Sequence, residues 1–260
     1  MRGAKLNAGR LFDADSGRSF IAAIDHGLAF GVVRGGEDAE DAMTTVVRDC
    51  RPDGVLVAPG LLDRYWELFA HRGAPVPICR LDFVHIADQT RPLGEQHRIV
   101  CSPREAAALG AGAVVTYLIL GPAQGEMFAG NVAALAGVRE EAHALGLPLV
   151  VEAVDWGSRA GDEPDPELLT FGCRMAAELG ADVIKTEYTG EPETMRPIVD
   201  GCPVPVLVLG GPQAETEEAL LEDTRDAIGA GAAGVVYGRN VWQADDPVDI
   251  SQRIREVVHG

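Results

Sequence analysis

The chain has 260 residues, with 22 Lys+Arg against 40 Asp+Glu and a formal net charge of −18. So acidic a balance excludes a nucleic-acid binder, which needs a basic face against phosphates, and a protein held on anionic lipid. No apolar run approaches the roughly 20 residues of a membrane span.

The N-terminal segment MRGAKLNAGRLFDADSG lacks the apolar core of a signal peptide. The five cysteines (Cys50, Cys79, Cys101, Cys173, Cys202) form no C-x-x-C pair. Reduced thiols and a cytoplasmic location are the expectation. Only two of the basic residues are lysines, Lys5 and Lys185. Arginine fills nearly every other cationic role, so a lysine inside an apolar segment calls for a reason.

In chain order, short runs rich in Val, Ile and Leu alternate with helical patterns. Such continuously apolar runs are how strands buried on both faces of a parallel sheet read. The first strand is expected over Ser19–Asp25, followed by a helix over Glu37–Cys50 with Ala42, Val46 and Val47 at helical spacing. The second strand, Gly54–Ala58, precedes a helix over Leu61–His71. The third, Pro77–Phe83, leads into an irregular stretch, Val84–Arg98, and a helix over Ser102–Leu109 that opens with Ser, Pro and Glu. Then come Ala113–Leu120 with helix Gly130–Leu145, and Pro148–Val154 with an irregular Asp155–Pro164 and helix Pro166–Leu179. The last three strands are Ala181–Glu187, Pro205–Leu209 and Ala233–Tyr237, with helices Glu191–Val199, Thr216–Ala230, Asn240–Gln243 and Pro247–Val258. Glycines at 146, 180 and 231 end three of the helices. Eight strand–helix units in this length predict one α/β domain over residues 1–260, a single (β/α)8 TIM barrel. The runner-up, a doubly wound open sheet, lacks any G-x-G-x-x-G opening a helix.

In a barrel the strand C-termini face the active site. Here they read Asp25 and His26, Arg80 and Asp82, Tyr117, Glu152 and Asp155, Lys185 and Glu187, Gly210 and Gly211, and Gly238, Arg239 and Asn240. This polar set ends aliphatic strands, and buried charge is costly unless paired or used. Lys185, in ADVIKTEYTG, reads two ways. It is a nucleophile that forms a Schiff base, its ammonium driven toward neutrality by low-dielectric walls, or it is a structural ion pair with Asp25, Glu152 or Glu187. Gly210, Gly211 and Gly238 with Arg239 end the seventh and eighth strands, where a phosphate is held in this fold; the bland reading is two tight turns. Asp25 and His26 suit orienting hydroxyls or handling protons. No metal-ligand spacing is present and no cofactor is implied.

AIDHG (Ala23–Gly27), IVCSPREAAALGAGAV (Ile99–Val114), ADVIKTEYTG (Ala181–Gly190), GCPVPVLVLGGP (Gly201–Pro212) and GAAGVVYGRNVWQ (Gly231–Gln243) stand in order along nearly the whole chain. Together they resemble the metal-independent class I aldolase family, with archaeal-type fructose-bisphosphate aldolase, aminodideoxyheptulosonate synthase and the autoinducer-2 thiolase among its members. More distantly the chain is similar to deoxyribose-phosphate aldolase. The resemblance implies Lys185 as Schiff-base lysine, Asp25 as active-site carboxylate, a phosphate cradled by Gly210, Gly211, Gly238 and Arg239, and a homo-oligomer. One departure stands in strand five. The family's Tyr-Pro-Arg-Gly segment, whose tyrosine is the general acid/base, is here Val154-Asp155-Trp156-Gly157, so Val154 holds the tyrosine position. Glu152, two residues earlier on the same face, is the first candidate for proton transfer, its pKa raised by an apolar barrel; Asp82, Tyr117 and Asp155 are alternatives. His26, Arg80, Asp82 and Tyr117 are expected to touch substrate. The expected activity is a carbon–carbon lyase acting on a phosphorylated ketose or ketone. Thiolase- or transaldolase-like transfer on the same lysine, a non-catalytic sugar-phosphate-binding barrel and a metal-dependent enzyme stay open.

Overall fold

The computed structural model describes residues 2–85, 89–211 and 213–260. The chain opens with helix α1 (Arg2–Ala8) and a 3-10 turn that carries Leu11 under the sheet. The strands follow as β1 (Ser19–Ala23), β2 (Gly54–Val57), β3 (Val76–Arg80), β4 (Asp82–Val84), β5 (His97–Ile99), β6 (Ala113–Ile119), β7 (Leu149–Val154), β8 (Val183–Glu187), β9 (Val206–Leu209) and β10 (Gly234–Tyr237). Eight of them close into a parallel barrel in the order β1-β10-β9-β8-β7-β6-β3-β2, and β4 and β5 pair separately. The remaining helices are α2 (His26–Phe30), α3 (Ala39–Thr44), α4 (Pro59–Arg64), α5 (Pro103–Ala108), α6 (Gly125–Leu145), α7 (Pro166–Glu178), α8 (Pro192–Asp200), α9 (Glu217–Gly229), α10 (Arg239–Trp242) and α11 (Pro247–His259). The expected TIM barrel is the fold observed. No helix of the described residues is long and apolar enough to cross a membrane.

Strand alternation sorts the apolar residues into two sets. Ile21, Leu56, Ile78, Val115, Val150, Val183, Leu207 and Val236 fill the barrel, closed from below by Leu11. Val55, Val57, Val114, Leu149, Val151, Ile184, Val206 and Val208 face outward onto the helices. Each fully buried aliphatic side chain contributes roughly 1.5–3 kcal/mol. Five of the helices, α3, α5, α7, α9 and α11, start on side-chain caps: Asp38, Ser102, Asp165, Thr216 and Asp246 each accept from one or two backbone N–H groups of the following turn.

Among the differences from the sequence reading, two bear on the site. The run expected as one strand, Pro77–Phe83, breaks at Leu81. The Leu81 N–H still donates to the Val115 carbonyl, but its own carbonyl accepts from Val100 and Cys101. Beyond it the chain turns into the antiparallel ribbon β4–β5, which occupies part of the stretch expected to be irregular. Asp82 starts that ribbon because it is anchored on β6, as described below. The second difference is α2, a single turn that begins directly after Asp25 and was not expected.

Candidate active site

Three adjacent strands present one row of polar side chains to the barrel interior. Tyr117 of β6 pairs in register with Glu152 of β7, and Glu152 with Lys185 of β8. The row sits one step above the aliphatic Val115, Val150 and Val183. Lys185 Nζ lies 2.6 Å from Glu152 Oε1, and the other Glu152 oxygen accepts from Arg80 Nη2. Arg80 also donates from Nε to Asp25 Oδ2 (2.8 Å) and from Nη1 to Asp82 Oδ1 (3.3 Å). Its guanidinium carbon stands 4.0 Å from the centre of the Tyr117 ring, a cation–π contact. Asp82 Oδ2 accepts from Thr116 Oγ1 (2.6 Å), the Tyr117 N–H (2.6 Å) and His97 Nε2 (2.8 Å).

All of these charged groups are buried: Arg80, Asp82 and Glu152 are at most 2% exposed, and Lys185 is 6%. A guanidinium this deep survives only because three carboxylates satisfy its fork. Burial opposes the charge of Arg80, but Tyr117 and the Glu152, Asp25 and Asp82 acids hold its pKa well above the ordinary value. Burial also pushes Asp25 and Asp82 upward. Arg80 and Lys185 outweigh it at Asp25, and at Asp82 the hydrogen bond from His97 and the charge of Arg80 outweigh it, so both carboxyls lie below their usual range. Burial raises the Tyr117 phenol far above its ordinary value, against the pull of Arg80.

The mouth is built by the loops after β9 and β10. Gly210 and Gly238 are required by close approach. A Cβ on Gly210 would stand 2.7 Å from the Tyr237 ring, and one on Gly238 would strike the His26 ring and come within 2.9 Å of the Ala23 carbonyl. Gly211 has φ +58° and open space beside it. Arg239 donates from Nη2 to the Gly211 carbonyl (2.9 Å), yet its buried Nε has no partner, and no carboxylate among the described residues pairs with it. Burial lowers its pKa. His26 packs edge-on against Trp242, ring centres 5.3 Å apart. Burial depresses its pKa, helped by Lys185 and Arg239 and opposed by Asp25, so the ring is neutral at neutral pH.

Asp25, His26, Tyr117, Glu152, Lys185, Gly210, Gly211, Gly238 and Arg239 all line one cavity of about 80 Å³ at the C-terminal end of the barrel. Five strand-end residues named from the sequence do not line it: Arg80, Asp82, Asp155, Glu187 and Asn240. Arg80 and Asp82, expected to touch substrate, instead support the cavity wall. The surroundings of Glu152 also differ from the apolar barrel expected, since two cations flank it. Phe30 and Trp156 line the cavity without having been singled out. Trp156 stands 5.2 Å from the Tyr117 ring. Glu187 Oε2 accepts from the Asp155 N–H at 2.7 Å, and burial, with Asp155 and Glu152 nearby, pushes its pKa up to about 6. Val154 at the end of β7 is fully buried. Pro212 of the G-G-P segment lies outside the described residues.

A family model for the DeoC/LacD family aldolase matches residues 19–244, from the first barrel strand to just past α10. The chain belongs to the DeoC/LacD aldolase family. The aldolase is similar to the class 1 fructose-bisphosphate aldolase of Thermoproteus tenax, 34% identical over 257 residues that cover 96% of this chain and 93% of that one. It is also similar to the 2-amino-4,5-dihydroxy-6-oxo-7-(phosphonooxy)heptanoate synthase of Streptomyces griseus, 31% identical and covering 98% and 89%. Among solved structures, an archaeal fructose-1,6-bisphosphate aldolase with its catalytic lysine covalently bound to the carbinolamine intermediate superposes with a TM-score of 0.85. That match is at 32% identity over 99% of this chain and all of the other. The protein is a class I aldolase, a carbon–carbon lyase of the Schiff-base type.

Proposed function

We propose that Lys185 is the Schiff-base residue and that the aldolase cleaves and forms a carbon–carbon bond in a phosphorylated ketose or ketone of the dihydroxyacetone-phosphate type. One observation carries this reading. The lysine inside the barrel stands 2.6 Å from a buried carboxylate, in a cavity also lined by glycines and an arginine without an acid partner among the described residues.

Glu152 is placed to take a proton from the Lys185 ammonium and leave a free amine. The amine adds to the keto carbon, and Glu152 returns the proton to the carbinolamine hydroxyl, which leaves as water and gives an iminium beside the Glu152 carboxylate. A carboxylate takes the proton of the hydroxyl on the far carbon. The carbon–carbon electrons then flow into the iminium, releasing an aldehyde and an enamine. Protonation of the enamine carbon and attack by water return the lysine and the second product. Asp25, fixed by Arg80, orients substrate hydroxyls, and neutral His26 adds a hydrogen bond. The phosphate lies against Gly210, Gly211 and Gly238, where Arg239 supplies the charge. The Streptomyces griseus synthase supports a second reading, in which the same enamine adds to another carbonyl compound.

The test is borohydride reduction with dihydroxyacetone phosphate, read by intact mass. The intact protein should gain one reduced adduct and Lys185→Ala none. Absence of an adduct across a panel of ketose phosphates would overturn the assignment.

A further inference from the structure

The larger cavity of the aldolase is not at Lys185. It lies at the other end of the barrel, below β2 and β3, and measures about 780 Å³, within the roughly 300–1,000 Å³ typical of small-molecule sites. Arg10 reaches it from the turn before β1, Arg48 and Arg51 from the segment leading into β2, His71 from the segment leading into β3, and Arg255 from α11.

The charge of this cleft runs against the rest of the molecule. Acids outnumber cations across the chain, 40 to 22, but here four arginines surround a single acid, Asp53. That acid is already engaged. Its Oδ2 accepts from the Phe20 N–H at 2.7 Å and lies 3.2 Å from His259 Nε2, while its Oδ1 is 4.0 Å from Arg255. Arg255 itself is anchored on the Arg51 carbonyl. Among the described residues no carboxylate pairs with Arg10, Arg48 or Arg51. A concave wall concentrates the field of such a cluster, and the planar guanidinium fork matches phosphate and carboxylate oxygens two at a time.

We propose that this cleft is a second ligand site that binds a compact polyanion, a small molecule carrying two or more phosphate or carboxylate groups. One monovalent anion satisfies at most one or two forks, whereas four converging arginines match a multivalent ligand. The site faces away from the catalytic mouth, so its ligand does not compete with substrate.

Inorganic pyrophosphate is a suitable probe, added to the whole protein at constant ionic strength and followed by calorimetric titration and thermal melting. The expected result is saturable binding that persists in Arg239→Ser, which disables the phosphate rim of the catalytic cavity. In the double variant Arg48→Ser/Arg51→Gly the affinity falls by roughly tenfold or more. Glycine suits position 51, where the backbone has φ 50°. Absence of binding, binding that Arg239→Ser abolishes, or binding unchanged in the double variant would each overturn the proposal. So would a double variant that changes oligomer size in light scattering, which would assign the cleft to a second copy of the chain.

Discussion

Replacing Glu152 by glutamine separates the ion pairing that the structure shows from the proton transfer proposed for the same carboxylate. Glu152 is 2% exposed and bridges Lys185 and Arg80. In the variant one amide oxygen faces one cation, and the amide NH2 is turned toward the other. Breaking a buried ion pair costs about 3–5 kcal/mol, and the lower figure applies because the amide still offers an oxygen to one of the two cations and Lys185 lines a cavity. A melting entropy of about 2.1 cal/mol/K per residue, taken over the whole chain, comes to about 0.55 kcal/mol/K, so a loss of about 3 kcal/mol lowers Tm by about 5 °C. If Glu152 moves protons, kcat falls roughly 10²- to 10⁴-fold, while borohydride still traps a ketose phosphate on Lys185, only more slowly. Steady-state kinetics and adduct mass on the same preparation read both quantities. A folded variant with kcat within tenfold of the parent at every pH would refute the proton-carrying role, and one that turns over slowly only because no adduct forms would make Glu152 a positioning residue.

Arg239→Ser should raise KM for a phosphorylated substrate by roughly 10²-fold, the worth of a charge-assisted contact of about 2–3 kcal/mol, and leave KM for the dephosphorylated analogue unchanged. Gly238→Ala should cost about 1–3 kcal/mol in denaturant unfolding, because its methyl must displace the His26 ring, and should weaken substrate binding as well. Glu187 predicts a pH effect on stability. Its folded pKa is raised from 4.5 to about 6, so the folded state holds the proton more tightly and this group's contribution is lost as pH rises from 4.5 through 6. The loss amounts to about 2 kcal/mol, and Glu187→Gln should flatten that part of the Tm–pH curve. The depressed carboxyls Asp25 and Asp82 act in the opposite sense. Their stabilisation is present above pH 3.8 and is lost as pH falls below it, so melting curves taken downward from pH 4 should show a further, separate decline.

The barrel was legible because its strands are buried on both faces and its helices carry caps and terminal glycines, all of which are local signals. Lys185 was legible for a compositional reason: in a chain with two lysines, one inside a strand stands out. What the sequence left undecided was whether a strand-end residue touches the cavity or supports it. Arg80 and Lys185 both end strands as cations, yet one lies under the floor and the other on it. That depends on how far each side chain reaches across the lumen, and on the ribbon that brings His97 onto Asp82 from fifteen residues away. The turn at Leu81 is a tertiary effect of the same kind. No Gly or Pro marks it, and the hydrogen bonds that make it come from Val100 and Cys101.

The plug of aliphatic side chains beneath Lys185, closed by Leu11, has a consequence for the order of events in the reaction. It is close-packed, and Lys185 opens onto the cavity on the other side of it. On the proposed Lys185 assignment, the water expelled when the iminium forms and the water that later hydrolyses it pass through the same cavity as the substrate. A released aldehyde standing in that cavity also keeps water away from the enamine. On that assignment hydrolysis follows departure of the aldehyde, and the traffic rule that protects the reactive intermediate is enforced by residues that never touch it.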